Sequence, residues 1–425
     1  MFNINNFKQN AVSGFSVSLI ALPLCLAIAN ASNFPILTGI ITAIIGGLLV
    51  SRISGSFLAI NGPAAGMIVI VLDCVERLGN GDVSLGYKST LAAIMVAAIL
   101  QIITGFTKLP NLMRKFPEEV IRGMMAAIGA IIIIKQAFII FAYQPPKHNL
   151  VQLILDLPKA FLGMKLEVFA ISVAVVTFII LWHKKIKHKL LSKIPIYLLA
   201  ILLFSVLAFF LDINNQNHYL VNSFASPAKS LFINIPYSFL SAFSLPNFAQ
   251  LFSFNFFISV FAIYFVASIE TVLSAIAVDK LDPQKRNTNL QQDLKAIGCG
   301  NLVCGLIGGL PMITEIVRSS ANIKYGATNS WSNFFHGLFL LIFVLFFTSF
   351  INFIPLCVLA AILIMIGVNL INFSLIKQMY VKWKGSLLVI LVVVFLTIAT
   401  DLLLGVFSGL AMYIILQKLQ TLLKI

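Results

Sequence analysis

Residues 117–136 read PEEVIRGMMAAIGAIIIIKQ, and residues 355–378 read PLCVLAAILIMIGVNLINFSLIKQ. Each opens on a proline and continues as a long apolar run, close to the roughly 20 residues an α-helix needs to cross about 30 Å of hydrocarbon. The two openings stand 238 residues apart, and Tyr87 and Trp331, which open the preceding apolar runs, stand 244 apart. Offsets near half the chain length predict an internal duplication of membrane-spanning segments.

The remainder of the chain is of the same kind. Of its 425 residues 60% are apolar and only 10% are Asp, Glu, Lys or Arg, where a soluble domain has about 45–50% and about 25%. No water-soluble surface of ordinary polarity can be built from that composition, and disorder needs the opposite balance. Apolar runs fall near 11–30, 36–51, 63–76, 88–107, 118–142, 166–182 and 194–211, then near 256–277, 294–310, 312–324, 331–351, 353–372, 385–400 and 402–418. Seven segments in each half is an odd number, so the second half starts from the opposite side of the membrane. The expected fold is an all-α polytopic membrane protein. It has about 14 transmembrane segments in two inverted seven-helix repeats, about 8–211 and 250–425, within one domain spanning 1–425.

The formal charge of +15 comes from 29 basic and 14 acidic residues. It does not point to nucleic acid, because inner loops of membrane proteins are rich in Lys and Arg. With the N-terminus inside, 21 of the basic residues fall on the inner side, including Lys184, Lys185, Lys187, Lys189 and Lys193, and Lys377, Lys382 and Lys384. Six fall outside (Arg77, Lys88, Lys147, Lys159, Lys165 and Lys229), and Lys135 and Arg318 sit inside apolar runs. Both termini are therefore expected in the cytoplasm, with the first run a retained span of a bacterial inner membrane. Cys25, Cys74, Cys299, Cys304 and Cys357 are scattered. They form no metal-ligand spacing and no disulfide framework, and neither metal nor cofactor is expected.

Two segments, 63–76 and 312–324, are too short to cross the hydrocarbon as helices. Pro63 and Pro311 stand where a proline suits the first turn of a helix, so both are expected to be half-helices. Short broken helices at corresponding places in inverted repeats mark a transporter's binding site. A helix beginning mid-bilayer presents unpaired N–H groups and the positive end of its dipole, which suits a small anion. The first candidate is Asn61-Gly62-Pro63-Ala64-Ala65-Gly66, where Gly62, Ala64, Ala65 and Gly66 let an ion approach the backbone; close helix packing would equally use small residues there. The second runs from Leu310 through Glu315, Ile316, Val317 and Arg318 to Ser319 and Ser320.

Charges within hydrocarbon are costly and mark function by default. Lys135 lies toward the end of a long span, where it can snorkel to the interface. Arg318 stays protonated in a protein and would attract an anion beside the two helix starts, although Glu315, three residues earlier, offers it a structural partner. Glu270 sits mid-span with Ser268, Thr271 and Ser274 nearby, and is the natural coupling group, taking up a proton as an anion crosses. Glu315 and Ser274 are assigned to coupling with it. His336 is read as packing or interfacial.

These residues resemble the SulP family of inorganic anion transporters along nearly the whole chain. The matching patterns are Pro23-x-x-x-Ala27-x-Ala29, Gly62-Pro63, Pro117-x-x-Val120-Ile121-x-Gly123, the acidic Glu270, and Gly309-x-Pro311 with Arg318-Ser319, Ala321-Asn322 and Gly326-Ala327. The resemblance implies a core of spans 1–4 and 8–11, a gate of spans 5–7 and 12–14, and elevator-like movement of one against the other. It also implies an anion bound between helices 3 and 10 near Leu24 and Ile28 of span 1. Family members usually carry a C-terminal STAS domain, whereas this chain stops at Ile425. The expectation is a membrane domain without STAS, and a homodimer stays open. Leu24 and Val317 replace the more polar Gln and Ser of many members. The sodium-binding bicarbonate transporters lack the span-10 arginine present here, which predicts a secondary transporter of sulfate or bicarbonate, coupled to protons or to exchange without sodium. An uncoupled anion channel and a nucleobase:cation symporter on the same scaffold are the alternatives, and no enzyme constellation is found.

Overall fold

The computed structural model describes residues 4–144, 150–185, 195–211, 213, 231–233 and 242–423. Lys147, Lys187, Lys189, Lys193 and Lys229 of the topology argument lie outside the described residues. The chain forms α1 (Ile4–Ala31), α2 (Thr38–Ile53), β1 (Ile60–Pro63), α3 (Ile68–Gly79), α4 (Val83–Gly105), α5 (Glu118–Ile140), α6 (Leu150–Leu162), α7 (Leu166–Lys185) and α8 (Ile196–Phe210). It continues with α9 (Phe254–Leu281), α10 (Leu290–Ile307), β2 (Met312–Glu315), α11 (Ile316–Lys324), α12 (Trp331–Ile351), α13 (Leu356–Ile371), α14 (Phe373–Lys382), α15 (Gly385–Ala399) and α16 (Leu402–Leu423).

Helix starts carry the residues that hold them. Asp82 accepts from the N–H groups of Ser84 at 2.8 Å and Leu85 at 3.3 Å, Ser253 from Phe256 at 3.1 Å, and Asn289 from Gln292 at 3.1 Å. Each satisfies backbone donors that a helix start leaves open. Large apolar side chains remain outward along several helices, with Phe210, Phe346 and Phe395 all more than 70% exposed. In a chain of this composition that surface meets lipid.

The described residues fall into two compact units. One comprises Met1–Arg114, Thr177–Leu207 and Phe232–Pro355; the other comprises Lys115–Val176, Ala208–Leu231 and Leu356–Ile425. Spans expected in the core, α1–α4 and α9–α12, lie in the first. Of the expected gate, α5, α13, α15 and α16 lie in the second, whereas α7 and α8 are divided between the units. Small residues set the helix contacts in both. In the first, Gly305 and Gly298 of α10 lie against Leu91 and Ala98 of α4, and Gly47 of α2 meets Gly337 of α12 backbone to backbone. In the second, Gly129 of α5 meets Gly367 of α13. Without a hydrophobic force between helices in lipid, such close packing is what holds them.

One expectation changes. Pro63 and Pro311 do not open helices. Pro63 closes β1, and Pro311 precedes β2, the two strands pairing antiparallel with Ile60 opposite Glu315 and Pro63 opposite Met312. A 3-10 turn follows at Ala65–Met67, and the half-helices begin at Ile68 and Ile316. The residue before a proline is driven toward extended backbone, and in hydrocarbon an extended segment must find a partner for its N–H and C=O groups. Each strand supplies the other's. Length closes as well: four residues of strand add about 13 Å and twelve of α3 about 18 Å, together about the hydrocarbon thickness.

Candidate functional site

The site is built around this two-stranded ribbon, wholly within the first unit. A ribbon in hydrocarbon leaves groups along its edges and at its ends to satisfy, and buried side chains contribute to this. Asn301 of α10 accepts from the Met312 N–H at 2.6 Å and donates to the Met312 carbonyl at 3.1 Å, as a neighbouring strand would. Its amide also donates to Gln101 of α4 at 2.9 Å. Where β1 begins and β2 ends, Ser319 Oγ bridges the paired residues, accepting from the Ile60 N–H at 2.9 Å and donating to the Glu315 carbonyl at 2.5 Å. Across the ribbon Asn61 Nδ2 donates to Thr314 Oγ1 at 3.2 Å, and Thr314 donates to Asp293 Oδ2 at 3.2 Å. Asn333 Nδ2 of α12 donates to Asn61 Oδ1 at 2.8 Å.

This scaffold fixes where the two half-helices start. Ala64, buried and extended, leads into the turn that begins at Ala65. Arg318, in the first turn of α11 and 1% exposed, lays its guanidinium across β1. Its Nη2 donates to the Pro63 carbonyl and its Nη1 contacts Cys25 Sγ of α1 at 3.7 Å. A Cβ placed on Gly62 would fall 2.5 Å from Nη1, so a side chain there would displace the arginine. Glu270 of α9, 2% exposed, brings its carboxylate against Gly66, where a Cβ would overlap both oxygens. Arg318 and Glu270 thus sit at opposite ends of the four residues Pro63–Gly66. Glu270 Oε1 has no hydrogen-bond partner, and among the described residues no ion pair within 4.0 Å joins Arg318 to Glu315 or Glu270.

The other expected site residues are placed as follows. Leu24 and Ile28 of α1 are buried, flanking Cys25 in sequence, while Ile316 and Val317 at the start of α11 are 39% and 56% exposed. All four side chains are apolar, and the N–H groups of Ile316 and Val317 stand in the first turn of α11. Glu315 occupies the position before α11, half-buried, without a capping hydrogen bond from its side chain. Ser274 is buried one helical turn beyond Glu270. Ser319 is also buried, and its hydroxyl is engaged by the ribbon on both sides. Lys135 is half-buried on α5, in the second unit. Asn61 and Thr314 fall within the two candidate segments, but sequence spacing assigns neither a partner, and it assigns no site role to Cys25, Asp293, Asn301 or Asn333. A signal exists for the three asparagines: an asparagine amid apolar residues must find buried partners.

Outside the membrane segments, Asp282 follows α9 and receives Arg286 Nε at 2.7 Å and Nη2 at 3.3 Å. Burial works against its charge, but the hydrogen bonds from Arg286 and the Gln284 N–H outweigh that and hold the carboxyl below its ordinary value.

Paired half-helices held by a ribbon, with a fixed cation and a buried carboxylate at their starts, define a membrane transporter. The chain belongs to the sulfate permease family, whose model matches residues 7–394; it is a transporter of that family and not an enzyme. It is 27% identical to "Putative sulfate transporter YvdB" of Bacillus subtilis (strain 168), over 96% of this chain and 73% of that one. It is 25% identical to "Bicarbonate transporter BicA" of Picosynechococcus sp., over 96% of this chain and 69% of that one. Among solved structures, the transmembrane domain of a cyanobacterium bicarbonate transporter BicA matches with a TM-score of 0.80 at 22% identity, covering 96% of this chain and 98% of that one. SLC26A9 matches with a TM-score of 0.82 at 16% identity, covering 99% and 67%. These two structural likenesses carry the fold.

Proposed function

We propose that the chain is a secondary transporter of a small inorganic oxyanion, sulfate or bicarbonate, driven by protons or by exchange and independent of sodium. The observation that carries the reading is the placement of Arg318 and Glu270 at the two ends of Pro63–Gly66. An oxyanion between the half-helix starts would accept N–H groups from Ala65 and Gly66 on one side and from Ile316 and Val317 on the other. The Arg318 guanidinium supplies charge, and Leu24 and Ile28 close the α1 side. Ala64 presents only a methyl group beside this path, and Gly62 and Gly66 admit Arg318 and Glu270 close against the backbone.

Glu270 carries the coupling proton in this reading, with Ser274 and Glu315 beside it, and Ser319 holds the frame. A proton on Glu270 removes a negative charge that would repel an arriving anion, so the two bind together. Arg318 supplies the fixed positive charge that sodium would otherwise bring. Passage follows from elevator-like movement of the first unit, carrying the site, relative to the second. The inverted repeats expected at about 8–211 and 250–425 provide the two equivalent end states. The protein works in a bacterial inner membrane with both termini cytoplasmic.

The test is uptake of radiolabelled sulfate by the reconstituted protein under an inward proton gradient, with and without excess bicarbonate. Accumulation above equilibrium is expected. Uptake that only equilibrates makes the protein an uncoupled channel, and uptake that requires a sodium gradient and ignores a pH gradient refutes the coupling assigned to Glu270 and Arg318.

A further inference from the structure

Gln101 of α4, Asn301 of α10 and Ser268 of α9 are each at most 1% exposed. Buried amides and hydroxyls need partners, and one backbone donor fixes how these three are oriented. The Met312 N–H can only donate, so Asn301 turns Oδ1 toward it, at 2.6 Å. That leaves Asn301 Nδ2 for the Met312 carbonyl at 3.1 Å and for Gln101 at 2.9 Å. Gln101 must then offer Oε1 to Asn301, and its Nε2 is directed the other way, to Ser268 Oγ at 3.5 Å. A hydrogen-bonded chain of side chains therefore runs from strand β2 to helix α9. Its middle member is on α4, which packs against both α9 and α10.

A second contact runs beside the first. The hydroxyls of Thr104 and Tyr264 lie 2.7 Å apart, one turn from Gln101 on α4 and one turn from Ser268 on α9. The seam between α4 and α9 thus has two polar rungs, a form of contact that joins helices in lipid. Glu270 stands on the far side of α9, because residues two apart on an α-helix are turned by about 200° from each other. Fastening α9 to α4 at Ser268 therefore sets where Glu270 projects. The carboxylate meets Gly66 with no room for a methyl group between them, and its Oε1 has no hydrogen-bond partner. Its place at the start of α3 follows from where α9 stands, and the Gln101 chain ties α9 to β2, the strand that leads into α11.

We propose that Gln101 is a positioning residue for Glu270: it clasps α9, at Ser268, to β2, through Asn301, and so holds the carboxylate in register with both half-helix starts. A neutral side-chain amide offers an acceptor and a donor side by side, which is what this place in the chain requires. A methionine of similar length would fill the same space and make neither bond. The inference rests on the reading that Glu270 carries the coupling proton, and it supplies the device that keeps the proton site and the anion seat at a fixed spacing.

The test compares the full chain with Gln101→Met, Ser268→Ala and the two combined, in two assays. In proteoliposomes under an inward proton gradient, Gln101→Met is expected to lower steady-state sulfate accumulation at least fivefold. Ser268→Ala should lower it at least twofold by itself and add nothing to Gln101→Met, because both cut the same chain. Effects that multiply would mark two separate packing defects and overturn the proposal. In detergent, labelling of Glu270 by dicyclohexylcarbodiimide, followed by peptide mass spectrometry, is expected to be at least fivefold faster in Gln101→Met, because a released α9 uncovers the carboxyl held against Gly66. Asp156 and Glu167 of the second unit should keep their rates. Where sulfate is not carried, labelling decides alone. Equal Glu270 rates in the parent and Gln101→Met, or all three carboxyls accelerating together, overturns the proposal. Glu270→Gln abolishing accumulation while Gln101→Met leaves it unchanged would defeat this inference and leave the coupling reading standing; Glu270→Gln without effect would defeat that reading. If Gln101→Met does not accumulate as folded protein, Ser268→Ala, which removes only a hydroxyl, takes its place in the same comparison.

Discussion

The carboxylate of Glu270 rests directly on Gly66, with no room between them for even a methyl group. α9 and the turn that starts α3 therefore approach closely only because residue 66 has no side chain. Gly66→Ala forces one of them to move, and overpacking of this kind costs about 1–3 kcal/mol. The expected result is at least a tenfold drop in uptake, with the protein still monodisperse in detergent. Unchanged uptake would mean that the Glu270–Gly66 contact is not needed for transport.

Glu270→Gln keeps the size of the side chain and removes its ability to ionise. Proton-driven accumulation should be abolished while anion binding, read by isothermal titration, persists. If the variant still concentrates the anion under a pH gradient, Glu270 is not the coupling group.

Arg318→Ala removes the fixed cation. Anion affinity should fall at least tenfold, equivalent to about 1.4 kcal/mol. Equal affinity would reject Arg318 as a ligand and, with it, the sodium-replacing role assigned to its charge.

Ser319→Ala leaves the Ile60 N–H buried without its acceptor. A lost partner of that kind costs about 1–3 kcal/mol, so a lower thermal midpoint than the parent is expected in detergent. No change in midpoint would mean that the Ile60 N–H finds another acceptor.

The Asp282–Arg286 pair gives a pH signature outside the membrane. The folded carboxyl lies below its ordinary value of 3.8, so its stabilising contribution is complete above the unfolded value and is lost as pH falls through the folded one. Asp282→Asn should therefore lower the thermal midpoint near neutral pH, and the difference from the parent should shrink as the solution is acidified. A difference that grows toward acid would contradict the assignment.

Much of this architecture was legible in the residue order. Apolar runs of helical length, their near-half-chain offsets and the solitary charges Glu270, Glu315 and Arg318 gave the helical membrane fold and the main site candidates. That follows from physics local to each segment: in lipid a helix closes its own hydrogen bonds, and a charge there stands out by its cost. The two prolines mark the right places but not the conformation, because a proline suits an extended strand as well as a first helical turn.

What each polar group touches was decided by tertiary structure alone. Asn61 and Thr314 are more than 250 residues apart in sequence, yet they face each other across the ribbon, and Asn301 completes an edge that no local pattern announces. Ser319 is expected beside the anion from its place next to Arg318, and its hydroxyl also bridges Ile60 and Glu315, which spacing along the chain does not show. Spacing along one helix or strand is set by the chain itself, so sequence carries it. Contact between segments is set by how their backbones close on one another, and at this site the glycines at 62 and 66 permit that closure while the strand pairing directs it.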